Sequence, residues 1–178
     1  MKKEIKVFDY ASEVLNGMKS GALLTTKVDE KLNSMTISWG SLGVQWEKPI
    51  FIAYVRESRF SKKQLETNQE FTINIPIGSL DKRILEVCGT KSGREVDKIK
   101  ELGLTPEPPQ SISVPGIKEL PLTLECRVIY NQKQNEQQIP QEIKKDFYPQ
   151  SVASVFHGSN KDYHTAFYGE IVSAYIIE

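Results

Sequence analysis

The sequence is poor in cysteine and histidine, with two of each among 178 residues. Cys88 and Cys126 lack the spacing of a metal site or of a Cys-x-x-Cys redox pair. His157 and His164 fall on separate predicted strands with no third ligand nearby, so no zinc site is expected. The thiols are expected to be reduced, as they are in the cytoplasm.

Neither an excess of charge nor a long apolar run is present. Lys and Arg number 23, as do Asp and Glu, which argues against binding nucleic acid or an anionic membrane with the whole surface. The charged start, 1–6, is followed by no apolar segment, so no secretory signal is expected. Apolar runs fall far short of the ~20 residues that span a bilayer. We therefore expect a cytoplasmic protein without nucleic-acid or membrane partners.

Three common catalytic and nucleotide-binding motifs are missing as well. The sequence contains no G-x-G-x-x-G, no G-x-x-x-x-G-K-[ST] and no G-x-S-x-G. These absences argue against a dinucleotide-binding Rossmann unit, a P-loop and a hydrolase nucleophile elbow.

What the sequence does contain is a series of short runs rich in β-branched and aromatic residues, divided by turn residues. With 178 residues, 39% of them hydrophobic, the chain is predicted to form one domain over residues 1–178. Many short strands with separate helices indicate a mainly β fold, a β-barrel with peripheral helices. The predicted strands are 22–28, 32–39, 49–55, 71–76, 122–130, 152–157 and 166–177.

Four short helices are predicted between these strands. Ser61 and Gln64 have the spacing of a capping box, which predicts a helix running to about Asn68. The other predicted helices are amphipathic or bounded by Gly and Pro, and they cover 79–88, 97–102 and 141–147.

One candidate site lies where a strand ends and the first of these helices begins. Helix N-termini point free N–H groups and a positive partial charge outward, and they bind anions. Ser58, Arg59 and Ser61 would add hydroxyls and a guanidinium, with Arg56 nearby, and so complete a phosphate cradle. A capped helix with solvated basic residues remains the alternative.

The second candidate site is a strand that carries hydroxyls, an amide and a tryptophan. Such a strand could hydrogen-bond the edge of a flat heteroaromatic ring and pack beside it. The alternative is a half-buried strand with its tryptophan in the core. The residues concerned are Asn33, Met35, Thr36, Ile37, Ser38 and Trp39.

Together with several later segments, these two features resemble the flavin reductase-like family, which has an FMN-binding split barrel, and in particular its flavoredoxin-like branch. The likeness runs over nearly the whole chain, and the ordered set is more specific than any part of it. The matching segments are 33–40 (NSMTISWG), 46–49 (WEKP), 55–61 (VRESRFS), 88–98 (CGTKSGREVDK), 147–149 (FYP) and 164–172 (HTAFYGEIV).

The resemblance implies a six-stranded Greek-key split barrel that forms a homodimer, with one FMN per subunit near the interface. It places 35–39 along the isoalloxazine ring, partly through backbone groups. It assigns the FMN phosphate to Ser58, Arg59 and Ser61, with Arg56 behind them. It also implies a second flavin-contacting segment, in which Lys98 reaches the phosphate or the ring edge; the residues of that segment are Ser92, Gly93, Arg94 and Lys98.

A histidine at the position of His164 lies close to the flavin or the nicotinamide in family members. The resemblance therefore implies a catalytic role, in which His164 neutralises charge on reduced flavin or orients a hydride donor. A histidine that ties down a loop through hydrogen bonds is the alternative. His157 carries no functional prediction, Trp46 is expected to pack or to lie in a dimer interface, and Cys88 is expected to be buried.

The implied activity is that of an FMN-binding oxidoreductase, either an NAD(P)H-dependent flavin reductase or a flavoredoxin-like carrier that receives electrons from a partner protein. The protein need only hold the hydride donor C4 near flavin N5, so no nucleophilic side chain is required. One alternative is a non-catalytic flavin-binding module, a sensor or store. Another is an oxidase of the pyridoxamine-phosphate type, for which no basic cluster suited to a second phosphate is seen.

Two departures from the family pattern leave the electron donor and acceptor open. The sequence ends at Glu178, soon after 169–171, whereas many relatives continue, so a more open pocket rim is expected. The segment 131–138 is rich in Asn and Gln and is predicted to be an exposed loop.

Overall fold

A computed structural model describes residues 1–155 and 160–178 of the chain. Within these residues the backbone forms ten strands, eight of them in one antiparallel sheet and two, β7 and β8, in a separate ribbon. In chain order the strands are β1 (Lys2–Glu4), β2 (Ala22–Val28), β3 (Lys31–Ile37), β4 (Gly40–Gln45), β5 (Lys48–Arg56), β6 (Glu70–Ile75), β7 (Pro106–Glu107), β8 (Gly116–Ile117), β9 (Leu122–Lys133) and β10 (His164–Ile177).

Helices lie at the ends and on the outside of this sheet. None of those in the described ranges has the length and apolar character needed to cross a bilayer. They are α1 (Ala11–Ser20), α2 (Phe60–Thr67), α3 (Lys82–Thr90), α4 (Lys98–Leu102) and α5 (Gln141–Phe147), with 3-10 turns at Val7–Tyr10 and Glu136–Gln138.

The sheet closes on itself because its two edge strands are consecutive in the chain. The strand order is β3-β2-β6-β9-β10-β5-β4, with β1 added to β10, yet only Ser38 and Trp39 separate β3 from β4. Three steps of ~3.8 Å leave Ile37 and Gly40 at most ~11 Å apart, so the sheet must curl. No ladder joins β3 to β4 in the described chain, so the barrel is split.

The predicted mainly β split barrel is therefore confirmed, and its order of strands is of the Greek-key kind, since β6 pairs with β2 and β9 and β5 pairs with β4 and β10. The sheet has eight strands in the described residues, where the resemblance implied six.

The core follows the alternation of side chains along each strand. Leu24 of β2 belongs to the cluster inside the barrel, with Phe51, Phe71 and other buried apolar residues. Its neighbour Leu23 belongs to a second cluster, together with Cys88 of α3 and four further residues. This second cluster fixes α3 against the outside of β2 and β3, beside the turn that leads into α2.

Element prediction succeeded where local signals were strong. The strand 22–28 and the helix 141–147 have the predicted bounds. The Asp97 side chain accepts a hydrogen bond from the backbone N–H of Lys100 and so caps α4, and Gly103 ends that helix with φ +63°.

Helix α1 and strand β4 were not predicted. Val152–Val155 of the predicted strand 152–157 is not a strand, and the remainder of that strand, with His157, lies outside the described residues.

The predicted capping box at α2 is wrong. Arg59 is the N-cap residue and no side chain caps this end of the helix. The Ser61 hydroxyl accepts a hydrogen bond from Asn33 Nδ2 at 2.9 Å, and Gln64 Nε2 donates to the Lys31 carbonyl at 2.7 Å. Both side chains are buried, so each is satisfied by the adjacent β2–β3 hairpin instead of its own helix.

Candidate functional site

Two adjoining cavities lie where β3 meets the turn between β5 and α2. The larger, which we call the α2 pocket, has a volume of about 310 Å³. Its lining combines the start of α2, the segment between α3 and α4, and part of β3: Asn33, Met35, Ser58, Arg59, Phe60, Ser61, Cys88, Thr90, Lys91, Ser92, Gly93, Arg94, Glu95, Val96 and Lys98.

The smaller cavity, which we call the β3 pocket, has a volume of about 150 Å³. It is lined by Met35, Thr36, Ile37, Ser38, Trp39, Tyr54, Arg56, Arg59 and His164. Met35 and Arg59 line both cavities, so the two form one bent groove. Each predicted site residue lines one or the other, although their roles toward a ligand stay predictions.

The α2 pocket contains hydrogen-bond donors that the protein does not use. Within the described residues no side chain caps α2, so the N–H groups of Phe60 and Ser61 at its start have no side-chain partner, whereas the Lys62 N–H donates to the Arg59 carbonyl at 3.1 Å. The Ser58 hydroxyl is buried and has no hydrogen-bond partner in the described residues. A buried polar atom without a partner costs about 1–3 kcal/mol, so both features favour an anionic ligand at this point.

The pocket also collects positive charge. Arg59 Nη1 donates to the Gly89 carbonyl at 3.2 Å, and Arg94 Nη1 donates to the Ser58 carbonyl at 2.9 Å. Lys98 is 3% exposed, and within residues 1–155 and 160–178 the hydrogen-bond contact of its Nζ is a long one, 3.5 Å from the Cys88 carbonyl. Burial, and then the charge of Arg59, lower the pKa of Lys98 to about 8. An anion beside Lys98 would offset the cost of burying this ammonium group.

Gly93 shapes the same pocket. A Cβ atom at this position would lie 2.2 Å from Asn33 Oδ1 and 2.7 Å from Phe60 Cδ1. The segment between α3 and α4 can therefore approach β3 and α2 this closely only because residue 93 has no side chain.

The β3 pocket is built on an edge strand. Among the residues that the structure describes, β3 pairs only with β2, so the backbone N–H and C=O groups on its other side have no ladder partner there. The Thr36 hydroxyl donates to the Leu85 carbonyl of α3 at 2.6 Å, so its proton is already used within the protein. The backbone of β3 is thus better placed than the Thr36 hydroxyl to donate to a ligand.

Trp39 lies at the mouth of the β3 pocket with 38% of its surface exposed, which excludes the alternative of a core tryptophan. Its ring packs edge-on against Phe147 at 5.3 Å and beside His164 at 4.9 Å between centroids.

Arg56 stacks over Tyr148 at 5.1 Å and donates to the carbonyls of Asp162 and Phe147. Arg56 lines the β3 pocket and not the α2 pocket, yet its charge is close enough to lower the pKa of Arg59, so its position behind the phosphate cradle stays a prediction.

His164 is buried at the start of β10. Burial foremost, and then Arg56 and Arg59, lower the pKa of His164 to about 3. The ring is therefore neutral at physiological pH, and Arg56 and Arg59 carry the positive charge beside it. The implied role of His164, to neutralise charge on reduced flavin or to orient a hydride donor, stays a prediction.

Sequence reasoning missed several residues that line or support the groove. Phe60 and Tyr54 line the pockets, while Tyr148 and Gln134 hydrogen-bond to His164 from outside them. Tyr148 stood within the family-like segment 147–149 but carried no role, and Gln134 stood in a segment predicted to be an exposed loop. Neither residue has a local pattern that signals its contact. Gln134 directly follows β9, whose Lys133 pairs with Thr165 of β10, and Tyr148 follows α5, so both reach His164 through the tertiary fold.

Comparison with solved structures supports the fold. Flavoredoxin from Methanosarcina acetivorans is 26% identical, with a TM-score of 0.62 over 89% of this chain and 68% of that one. An FMN-binding domain of a flavin reductases-like enzyme from Shewanella baltica, 13% identical, has a TM-score of 0.68 over 99% of this chain and 77% of that one.

An uncharacterised protein of Archaeoglobus fulgidus is 31% identical over 100 residues, which is 56% of this chain and 55% of that protein. The match thus spans about half of that relative. The family model described as flavin reductase like domain matches residues 18–178. The flavoredoxin likeness predicted from the motifs is confirmed, and the chain belongs to the flavin reductase-like family.

Proposed function

We propose that the protein is an oxidoreductase that holds FMN in the groove formed by the α2 and β3 pockets. The observation that carries this proposal is the junction of a cationic cavity at an uncapped helix with a pocket on an edge strand. A phosphorylated ligand with a flat heteroaromatic ring matches both halves. Family membership and the likeness in fold to the FMN-binding domain from Shewanella baltica support this ligand.

In this proposal the phosphate lies in the α2 pocket. The first N–H groups of α2 and the Ser58 hydroxyl donate to its oxygens, and Arg59 and Lys98 balance its charge. The Ser61 hydroxyl accepts from Asn33, which fixes β3 against α2, and its own proton can donate to the phosphate.

The ring lies in the β3 pocket, along residues 35–39. The free backbone edge of β3 donates to and accepts from the polar edge of the ring, and Trp39 covers one side of the pocket. Arg56 and Arg59 raise the positive potential there, which stabilises an electron-rich ring. When bound, FMN would supply the redox chemistry, accepting a hydride from NADH or NADPH, or electrons from a partner protein, and passing them to an acceptor.

We also propose a homodimer, which rests on an exposed aromatic patch formed by Val44, Trp46, Tyr130 and Tyr168. Val44, Trp46 and Tyr130 are 67%, 58% and 43% exposed, and the Tyr130 ring packs edge-on against both Trp46 and Tyr168. Trp46 stands in the two-residue turn between β4 and β5, where φ is positive at both positions, and this turn presents its ring to solvent. Exposed aromatic rings that form such a patch are typical of an interface. The two cysteines are buried and free, which fits a reducing compartment such as the cytoplasm.

The function is tested by recording flavin absorbance of the purified protein with FMN, then adding NADH or NADPH without oxygen. We expect a bound-flavin spectrum that bleaches with one of the two nucleotides. Bleaching by dithionite alone would favour a carrier reduced by another protein, or a flavin sensor. No change in the flavin spectrum or fluorescence on mixing would refute the proposal.

Arg59→Ala should weaken FMN binding far more than riboflavin binding, because riboflavin lacks the phosphate. Loss of a charged hydrogen bond of about 1.5–3 kcal/mol corresponds to a loss of affinity for FMN of about 10- to 150-fold. Fluorescence titration measures both ligands, and the exposed Arg83→Ala serves as the matched control. Equal losses for FMN and riboflavin would contradict a phosphate role for Arg59.

FMN affinity should fall as the pH rises above about 8, because Lys98 then loses its proton and its attraction for the phosphate. Below this pH the ammonium form, and so the full affinity, is present. Burial raises the pKa of the neighbouring Cys88 to about 11, so the thiol does not titrate in this range. Titrations between pH 7 and 9 measure the effect, and Lys98→Met should remove it; the same slope in this variant would show that another group titrates.

Trp46→Ser should shift the protein from dimer to monomer, because it removes the largest apolar side chain of the exposed patch. Sedimentation equilibrium of the wild type and the variant measures the molar mass, and the exposed Phe8→Ser is the control away from the patch. A monomeric wild type would refute the proposed homodimer.

A further inference from the structure

The hydrogen bonds around His164 define where its single ring proton lies. Gln134 Oε1 is 3.0 Å from the backbone N of His164 and 3.1 Å from the Tyr148 hydroxyl. The Tyr148 hydroxyl is in turn 2.9 Å from His164 Nδ1. A second bond, from the Gln134 backbone N–H to the His164 carbonyl at 2.9 Å, holds the two residues together.

A count of donors and acceptors leaves one arrangement. A backbone N–H can only donate, so the Gln134 side-chain atom that faces it must be the carbonyl oxygen. That oxygen cannot donate to Tyr148, so Tyr148 must donate its one hydroxyl proton to Gln134. The Tyr148 oxygen then accepts, and the proton of this third bond must be on His164 Nδ1.

The charge state of both rings is consistent with this count. The lowered pKa of His164 keeps the imidazole neutral, with one proton for its two nitrogens. Burial raises the pKa of Tyr148, against smaller opposing effects of Gln134 and Arg56, so the phenol stays protonated at neutral pH. A neutral imidazole with its proton on Nδ1 has a lone pair on Nε2.

We infer that Gln134 and Tyr148 are positioning residues that hold His164 as its Nδ1–H tautomer, so that its Nε2 lone pair accepts a hydrogen bond from an N–H group of the ligand in the β3 pocket. His164 lines that pocket, and within the described chain Nε2 bonds to no protein group. The Nδ1 edge of the ring is occupied by Tyr148, so the opposite edge is the one left for a ligand.

The neighbours of His164 specify the ligand edge that fits. Arg56 and Arg59 line the same pocket and can only donate hydrogen bonds. One acceptor in the same pocket as two donors matches a heterocycle that carries an N–H between two carbonyls. The pyrimidine edge of a flavin has this pattern, so the ligand half of the inference rests on the proposed function, whereas the tautomer does not.

The tautomer is tested by ¹⁵N NMR of imidazole nitrogens in the ligand-free protein. The chain has two histidines, so His157→Gln leaves His164 as the sole signal. From pH 5 to 8 we expect a neutral ring with a protonated Nδ1 and an unprotonated Nε2. A proton on Nε2, or a charged ring at pH 7, would overturn the inference whether or not FMN binds.

Tyr148→Phe removes the acceptor of the Nδ1 proton, so His164 should populate the Nε2–H tautomer. FMN, the probe for the ligand half, should then bind about 2- to 12-fold more weakly, as expected for one neutral hydrogen bond. Gln134→Glu retains an acceptor at the same place and should preserve the Nδ1–H tautomer.

The matched control is Tyr163→Phe, since the Tyr163 ring stacks on Tyr148 at 4.7 Å but its hydroxyl is not bonded to His164. It should leave both the tautomer and FMN affinity unchanged. An unchanged tautomer and FMN affinity in Tyr148→Phe would overturn the positioning role. The expected tautomer in a protein that does not bind FMN would refute the proposed function and the ligand half alone.

Discussion

The two-residue connection between β3 and β4 is the constraint on which the rest of the structure depends. It joins the two edges of one sheet, and so it requires the sheet to curl until those edges meet. The same connection contributes Ser38 and Trp39 to the β3 pocket. Closure brings them to β5 and β10, which supply Arg56 and His164. The closure that forms the barrel therefore also assembles the β3 pocket.

Electrostatics divides the groove into two regions with different chemistry. In the α2 pocket, the uncapped start of α2, the Ser58 hydroxyl without a partner in the described residues and the buried Lys98 ammonium group favour binding of an anion. In the β3 pocket, burial and two guanidinium groups keep His164 neutral, so its ring is available to hydrogen-bond a ligand. Arg59 lines both regions and couples them, because its charge lowers the pKa of Lys98 as well as that of His164. This difference between an anion-binding α2 pocket and a hydrogen-bonding β3 pocket orients a ligand that has one charged and one neutral end.

Local signals predicted the elements whose bounds depend on local energetics. The apolar and β-branched run of β2, the Asp and Gly at the ends of α4 and the Pro before α5 each favour a backbone geometry within a few residues. The Ser61–Gln64 prediction failed because burial against the β2–β3 hairpin gave both side chains partners from another element. Strand β4 was missed because its residues are mostly half-buried and include two glycines, so no clear alternation marks it.

By itself, the sequence determined the fold class, the family and many of the residues that line the groove. Short motifs were sufficient for this because they specify local backbone geometry and contain the donor groups themselves. Only the tertiary structure decided which of these residues share a pocket. It placed Arg56 in the lining of the β3 pocket and not of the α2 pocket, and it buried His164 beside two arginines, which keeps the ring neutral. It also brought Gln134 and Tyr148 to His164. These outcomes depend on burial and on contacts between residues distant in sequence, and neither is encoded in a local pattern.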